Sequence, residues 1–318
     1  MVAPVSVFTT AILPIVAVGG VGYLLGSVRD VEVDPLNTIV VYVLAPALVF
    51  HSLATTTLGQ STLARITVAV ILFHLVAIVV AEAAGRMVGA SRTALAALIL
   101  VTAFPNTGNY GIPVSNFAFG ETGRATAVVA LSVQAVLIYT VGVYIAGRGG
   151  AGGVIAGVRR VFSVPLVYAV VAALSARWAG LVPPSESSAM STLQLVGDSA
   201  IPIMLLVVGI QLARTDVGST LSAVGGAVGL KMVVAPVLGV GVALAVGFSD
   251  PVVARTFVLE TAMPSAVTPI ILVGEFAEGD VAGVPVAEFV STAIFATTLV
   301  SVVTLTAIIA ILQTGVVV

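Results

Sequence analysis

The sequence predicts an all-α polytopic membrane protein of ten transmembrane helices, built as two inverted five-helix repeats. Three observations carry this prediction. Of 318 residues, 59% are hydrophobic and 8% charged, with a mean hydropathy of +1.22; a soluble domain is about a quarter charged and covers its surface with that charge. Apolar runs of about 20 residues, enough for a helix to cross a bilayer, recur between short connections. Two of these runs are interrupted by proline and polar residues at membrane depth. The alternating ten-residue strands of a membrane barrel are absent.

The spans lie at 6–27, 35–54, 62–85, 93–119, 123–146, 160–179, 190–213, 218–247, 252–275 and 286–312. The first follows MVAPVSVFTT, which has no basic n-region and reads as a lead into the span rather than a cleaved signal. The second carries Pro46 and His51, and the third His74 and Glu82. In the fourth, Ala94–Thr102 and Val114–Phe119 read as two halves of one helix separated by FPNTGNYGIP, residues 104–113. Pro105 lacks a backbone donor and clashes with the preceding turn, so it breaks the helix. In hydrocarbon each unpaired backbone group costs several kcal/mol, so such a stretch survives only inside protein or beside a wet cavity. Broken helices of this kind face the substrate in secondary transporters.

The fifth span ends at the glycine-rich segment 147–159, which divides a first five-helix repeat (1–146) from a second (160–318). The sixth span is plain. The seventh holds Asp198 and Pro202, and the eighth holds Lys231. The ninth is interrupted at Pro264, and the tenth closes the set. Pro105 and Pro264 are 159 residues apart, each in the fourth span of its half; Pro46 and Pro202, in the second spans, are 156 apart. The first shift also lays Phe117–Glu121 onto Phe276–Asp280. Because five is odd, the second copy enters the membrane inverted, as in transporters with interrupted segments in matching positions.

Basic residues orient the spans. With the N-terminus outside, the inner side holds Arg29, Arg86, Arg92, Arg148, Arg159, Arg160 and Arg214, seven residues, against Arg65, Arg124, Arg177 and Arg255 outside, four. This predicts a multi-pass protein of the cell membrane with both termini extracellular.

Composition also excludes functions. A net charge of −2 argues against a nucleic-acid partner, and the absence of cysteine removes disulfides and thiolate chemistry. No cofactor is expected: His51 and His74 have no second ligand at helical spacing. Gly-x-Ser-x-Gly, His-Glu-x-x-His, a Gly-x-Gly-Asp motif and a P-loop are missing, so neither a protease nor a nucleotide-driven pump is expected. The partners left are the lipid bilayer and a small solute.

The sequence resembles the auxin efflux carrier family, plant PIN-FORMED carriers and their prokaryotic relatives, at several places in order. FPNTGNYGIP is similar to that family's LPNT…GIP crossover. Pro46–His51, Gly197–Ala200, Ala262–Pro269 and Val290–Phe295 are similar to its other marked stretches. The long inner loop of the plant proteins is absent, and Ser265 stands where they typically have glutamine. The resemblance implies a fold like that of bile acid and sodium/proton (NhaA-type) transporters, in which broken helices 4 and 9 cross. Spans 1, 2, 6 and 7 would form a scaffold that makes a homodimer. Spans 3–5 and 8–10 would form a transport domain sliding against it as an elevator.

The solute expected at such a crossing is a small organic anion such as a carboxylate. Half-helix N-termini carry about +0.5 charge each and present free N–H donors. Pro105, Asn106, Asn109, Pro264, Ser265 and Thr268 are expected to line the site, with Asn106 and Asn109 binding, capping the helix ends, or both. His51 is expected to face substrate or carry a proton, and His74 to pack between helices. Ionisable residues at membrane depth default to function. Lys231 is read as a counter-charge or the partner of a carboxylate. Asp198 would pair with Lys231, take a proton, or satisfy backbone freed by Pro202. Glu260 precedes the second break by one turn, and Glu82 is expected to pair with Arg86. Facilitated efflux, proton- or sodium-coupled symport and a non-transporting sensor on this fold all remain open. Glycines of spans one and eight (Gly19, Gly20, Gly22, Gly225, Gly226, Gly229, Gly239, Gly241) are expected to permit close approach.

Overall fold

The structure is a computed structural model that describes residues 9, 12–149, 165–214, 221–277 and 279–316. Most of the glycine-rich segment, Arg159, Arg160, the first residues of spans one, six and eight, and Glu278 lie outside the described residues. The described chain is helical apart from one antiparallel hairpin, Asp280–Val281 with Val284–Pro285. Its elements are α1 (Leu13–Val28), α2 (Val33–Thr55), α3 (Gln60–Met87), α4 (Arg92–Ala103), α5 (Thr107–Ala146) and α6 (Pro165–Trp178). They continue with α7 (Ser188–Arg214), α8 (Leu221–Val246), α9 (Pro251–Thr261), α10 (Thr268–Phe276) and α11 (Val286–Gln313). Six of them, α2, α3, α5, α7, α8 and α11, are long and apolar enough to cross a membrane, as a polytopic membrane protein requires.

Local chemistry explains the boundaries. Ser91 caps α4 by accepting from the Ala94 N–H at 3.2 Å, and Asp250 caps α9 by accepting from the Val252 N–H at 2.8 Å. A π-helical turn precedes each of three prolines: Val40–Leu44 before Pro46, Thr107–Gly111 before Pro113, and Leu230–Val234 before Pro236. A proline inside a helix removes one N–H and pushes against the turn behind it. The wider π turn relieves that crowding, so these helices bend and continue. At 40 residues and 1.5 Å per residue, α5 is about 60 Å long, twice the hydrocarbon thickness of about 30 Å. It turns at Gly120, whose φ of 63° and ψ of −152° lie in a region open only to glycine. The sequence places its boundary between spans four and five there.

Helix α1 packs along the second half of α7, and α2 packs on α6 and on the first half of α7. Elsewhere α3 packs on α4, α5 and the second half of α8, α9 packs on α5 and α8, and the first half of α8 packs on α11. Backbones meet most closely in the first set. A side chain on Gly22 would strike the Leu206 backbone, one on Gly209 the Gly19 carbonyl, and one on Gly197 the Leu48 backbone. The expected role of the span-eight glycines is corrected: only Gly239 is packed, against Thr261, while Gly225, Gly226, Gly229 and Gly241 face open space. Gly20 is likewise open.

Because its neighbour is backbone and cannot step aside, Gly209→Ala is expected to destabilise the protein by about 1–3 kcal/mol, read as a lower unfolding temperature in detergent. Gly241→Ala should cause no loss. Equal behaviour of the two variants would mean that the α1–α7 approach does not limit stability.

Candidate functional site

The two breaks meet. Residues 104–106 leave α4 in extended backbone and run antiparallel to residues 264–266, with Pro105 opposite Ser265. The Asn106 N–H donates to the Pro264 carbonyl at 2.8 Å, and the Ala266 N–H donates to the Phe104 carbonyl at 2.9 Å. Each break therefore supplies partners that the other has lost. Neighbouring helices satisfy much of the remainder. Gln134 of α5 donates from Nε2 to the Pro105 carbonyl at 2.8 Å, and its Oε1 accepts from the Thr107 hydroxyl at 3.1 Å. The Ser265 N–H donates to Thr297 Oγ1 of α11 at 3.2 Å.

Two half-helices begin at this crossing, α5 at Thr107 and α10 at Thr268, and α4 and α9 end at it. Beside it lies a cavity of about 240 Å³. Of the predicted site residues, Pro105, Asn106, Asn109 and Thr268 line that cavity. Pro264 and Ser265 sit within the crossing instead, and Ser265 is fully buried. Asn106 spends its side-chain oxygen on capping, accepting from the Asn109 N–H at 3.2 Å, so for Asn106 the capping reading holds. Sequence reasoning missed Thr107, Gln134, Tyr139 and Gln211, which add polar groups to the lining. A glutamine in the middle of an otherwise apolar span was the available signal for Gln134. No arginine, lysine or histidine is among the described lining residues.

The ionisable residues are distributed differently from the expectation. Glu260 is buried at the end of α9, where Oε1 accepts from the Ser115 hydroxyl at 2.6 Å and Oε2 is buried with no hydrogen-bond partner among the described residues. Its carboxylate fills the space where a Cβ on Gly111 would stand. Lys231, fully buried in the π turn of α8, donates to the carbonyl of Thr261, the residue after Glu260, at 3.3 Å. It is not among the residues that line the cavity beside the crossing. Asp198 pairs with Arg124 at 2.6 Å rather than with Lys231. Arg124 is 6% exposed inside α5, so it is no loop residue and drops out of the four counted outside.

His51 lines a separate polar pocket of about 230 Å³ with Ser52, Thr55 and Glu121, away from the crossing. His74 packs between Phe73 and Phe104 with Nδ1 2.7 Å from the Val70 carbonyl, as a packing histidine should. Glu82 accepts from Arg86, as expected, and also from Arg148. Among the described residues no group of three or more histidine or acidic side chains could hold a metal ion.

A family model described as "Membrane transport protein" matches residues 7–309. The chain belongs to this family. It is the auxin efflux carrier family that the motifs resemble. The transporter is 26% identical over 296 residues to a protein of Methanothermobacter thermautotrophicus named "Uncharacterized transporter", covering 93% of this chain and 94% of that one. It is also 26% identical over 318 residues to a Rhizobium meliloti protein named "Putative malonate transporter", covering 96% of each. Family and relatives alike indicate a multi-pass membrane transporter rather than an enzyme.

Gln134→Leu leaves the Pro105 carbonyl and the Thr107 hydroxyl of this transporter without their partner. Each buried group so stranded costs about 1–3 kcal/mol, so the variant should unfold at a clearly lower temperature in detergent. An unchanged melting curve would show that Gln134 does not hold the crossing.

Proposed function

We propose that this transporter carries a small organic anion across the cell membrane, binding it at the crossing of the two broken helices. The observation that carries the proposal is the meeting of two half-helix N-termini beside a mostly apolar cavity whose described lining holds a few neutral polar groups and no cationic side chain. The opening N–H groups of a helix have no intrahelical partner, and its dipole favours negative charge there. Asn109 and Thr268 add neutral donors that recognise a carboxylate. At about 240 Å³ the cavity is smaller than the roughly 300–1,000 Å³ of a drug-sized pocket. A compact acid fits better than a large aromatic one, and the relative named for malonate makes small dicarboxylates the first class to test.

The mechanism we infer is an elevator on ten spans in two inverted repeats, with both termini extracellular and a homodimer formed through the scaffold. The turn at Gly120 and the paired half-helices α4/α5 and α9/α10 support the count of ten. Packing among α1, α2, α6 and α7 supports a scaffold, and packing among α3, α5, α8, α9 and α11 supports a moving body. The Arg124–Asp198 ion pair joins α5 of the moving body to α7 of the scaffold. The cavity reaches toward Asn37, Tyr139 and Gln211, the end marked by Arg148 and Arg214, which this orientation makes cytoplasmic. Proton-coupled symport is the second reading, favoured by the buried, half-satisfied Glu260 carboxylate next to Thr261, whose carbonyl holds Lys231.

Two outcomes follow. Asn109→Ala should weaken malonate binding to the purified protein at least tenfold without lowering its melting temperature, because it removes a donor at the charge focus and little packing. Unchanged affinity for a measured acid would remove Asn109 from the site. In a chain without native cysteine, paired cysteines at positions 124 and 198, separated by about the reach of the arginine side chain that now joins them, should stop liposome flux when bridged by a short bifunctional maleimide. Full flux with the cross-link formed would refute relative movement of α5 and α7.

A further inference from the structure

At the Arg148 end of the moving body, α3 ends and α4 begins around a second pocket, of about 370 Å³, that shares no lining residue with the cavity at the crossing. It is lined by Glu82, Arg86, Arg92, Leu95, Tyr144 and Arg148. Glu82 accepts from Arg86 Nε at 2.9 Å and Nη2 at 2.5 Å, and its other oxygen pairs with Arg148. The Arg148 guanidinium also lies 5.6 Å from the centre of the Tyr144 ring. Arg92 stands in the first turn of α4 and makes no ion pair among the described residues. Arg86 and Arg148 thus share one carboxylate and Arg92 stands beside them unpaired, so three positive charges face one negative charge among the described lining residues.

The surroundings are those of a bilayer edge. Met87 and Val88, in and just after the last turn of α3, are 87% and 81% exposed, and Leu75 and Val79 continue an apolar outer face along the same helix. Such a face needs lipid tails against it, and a half-exposed tyrosine at the helix end suits the headgroup level. Arginine pairs with phosphate through two parallel N–H donors. We propose that this pocket binds the phosphate headgroup of an anionic phospholipid whose acyl chains lie along α3. The phosphate completes the charge balance that Glu82 alone leaves open. The assignment is independent of the solute carried at the crossing.

The test is retention of lipid by the purified full-length protein, measured by native mass spectrometry in mixed phosphatidylglycerol and phosphatidylcholine micelles. Phosphatidylglycerol should be retained preferentially. Arg92→Gln should weaken that retention about fivefold, the effect of roughly 1 kcal/mol per basic side chain at an anionic surface. Glu82→Gln should strengthen it, since it frees Arg86 and Arg148 for the phosphate; a purely structural cluster would be loosened by the same change with no gain in lipid. Equal retention of the two lipids would overturn the proposal. So would thermal stabilisation by inorganic phosphate equal to that by phosphatidylglycerol, which would identify a free anion as the ligand.

Discussion

A peptide group in hydrocarbon must find its partner within the protein, and this chain interrupts two helices where water cannot help. The structure meets that constraint by laying one break against the other. Asn106 and Ala266 donate across to the carbonyls of Pro264 and Phe104, so neither interruption is self-sufficient. Both must be in place before either is satisfied. The crossing is thereby a short antiparallel pair in an all-helical protein, held at fixed register, and every polar group near it inherits a fixed position.

The surrounding residues follow from that arrangement. Gln134 and Thr297 sit opposite the backbone groups that the crossing leaves over. Gly111 has no side chain because the Glu260 carboxylate occupies that space. Two helix N-termini are brought to one place, and no cationic side chain is among the described residues that line the cavity beside them. For the anion proposed as its solute, such a site would act through helix dipoles and N–H donors and would hold the anion less tightly than a buried guanidinium. A carrier must also release what it binds, and dipolar binding suits that requirement.

The sequence exposed the parts of this design that break local rules. Pro105 and Pro264 in matching positions, with asparagine and glycine around the first, were visible as interruptions because an apolar helix has no other use for them. The long spans were equally plain from hydropathy. The π turns were not visible, since a change from i→i+4 to i→i+5 bonding leaves no signature beyond the proline it accommodates. Pairings between distant positions were hidden for a different reason. Asp198 lies 74 residues from Arg124, and a loop assignment for Arg124 concealed that it is buried. Lys231 announced itself as a lone charge at membrane depth, but its partners, Thr261 and the neighbourhood of Glu260, belong to another helix. The residues of the crossing itself split by geometry. Thr268 opens onto the cavity while Ser265, three positions earlier, is consumed by the backbone pairing, a distinction that needs the fold.

The central claim is that the crossing itself is the anion site. A structure determined with bromomalonate, located by the anomalous signal of its bromine, tests it most directly. The account places the ligand in the cavity beside Pro105, with carboxylate oxygens within hydrogen-bond reach of Asn109 and of the helix openings at Thr107 and Thr268. Bromine density in the His51–Glu121 pocket, with the crossing empty at saturating ligand, would contradict it.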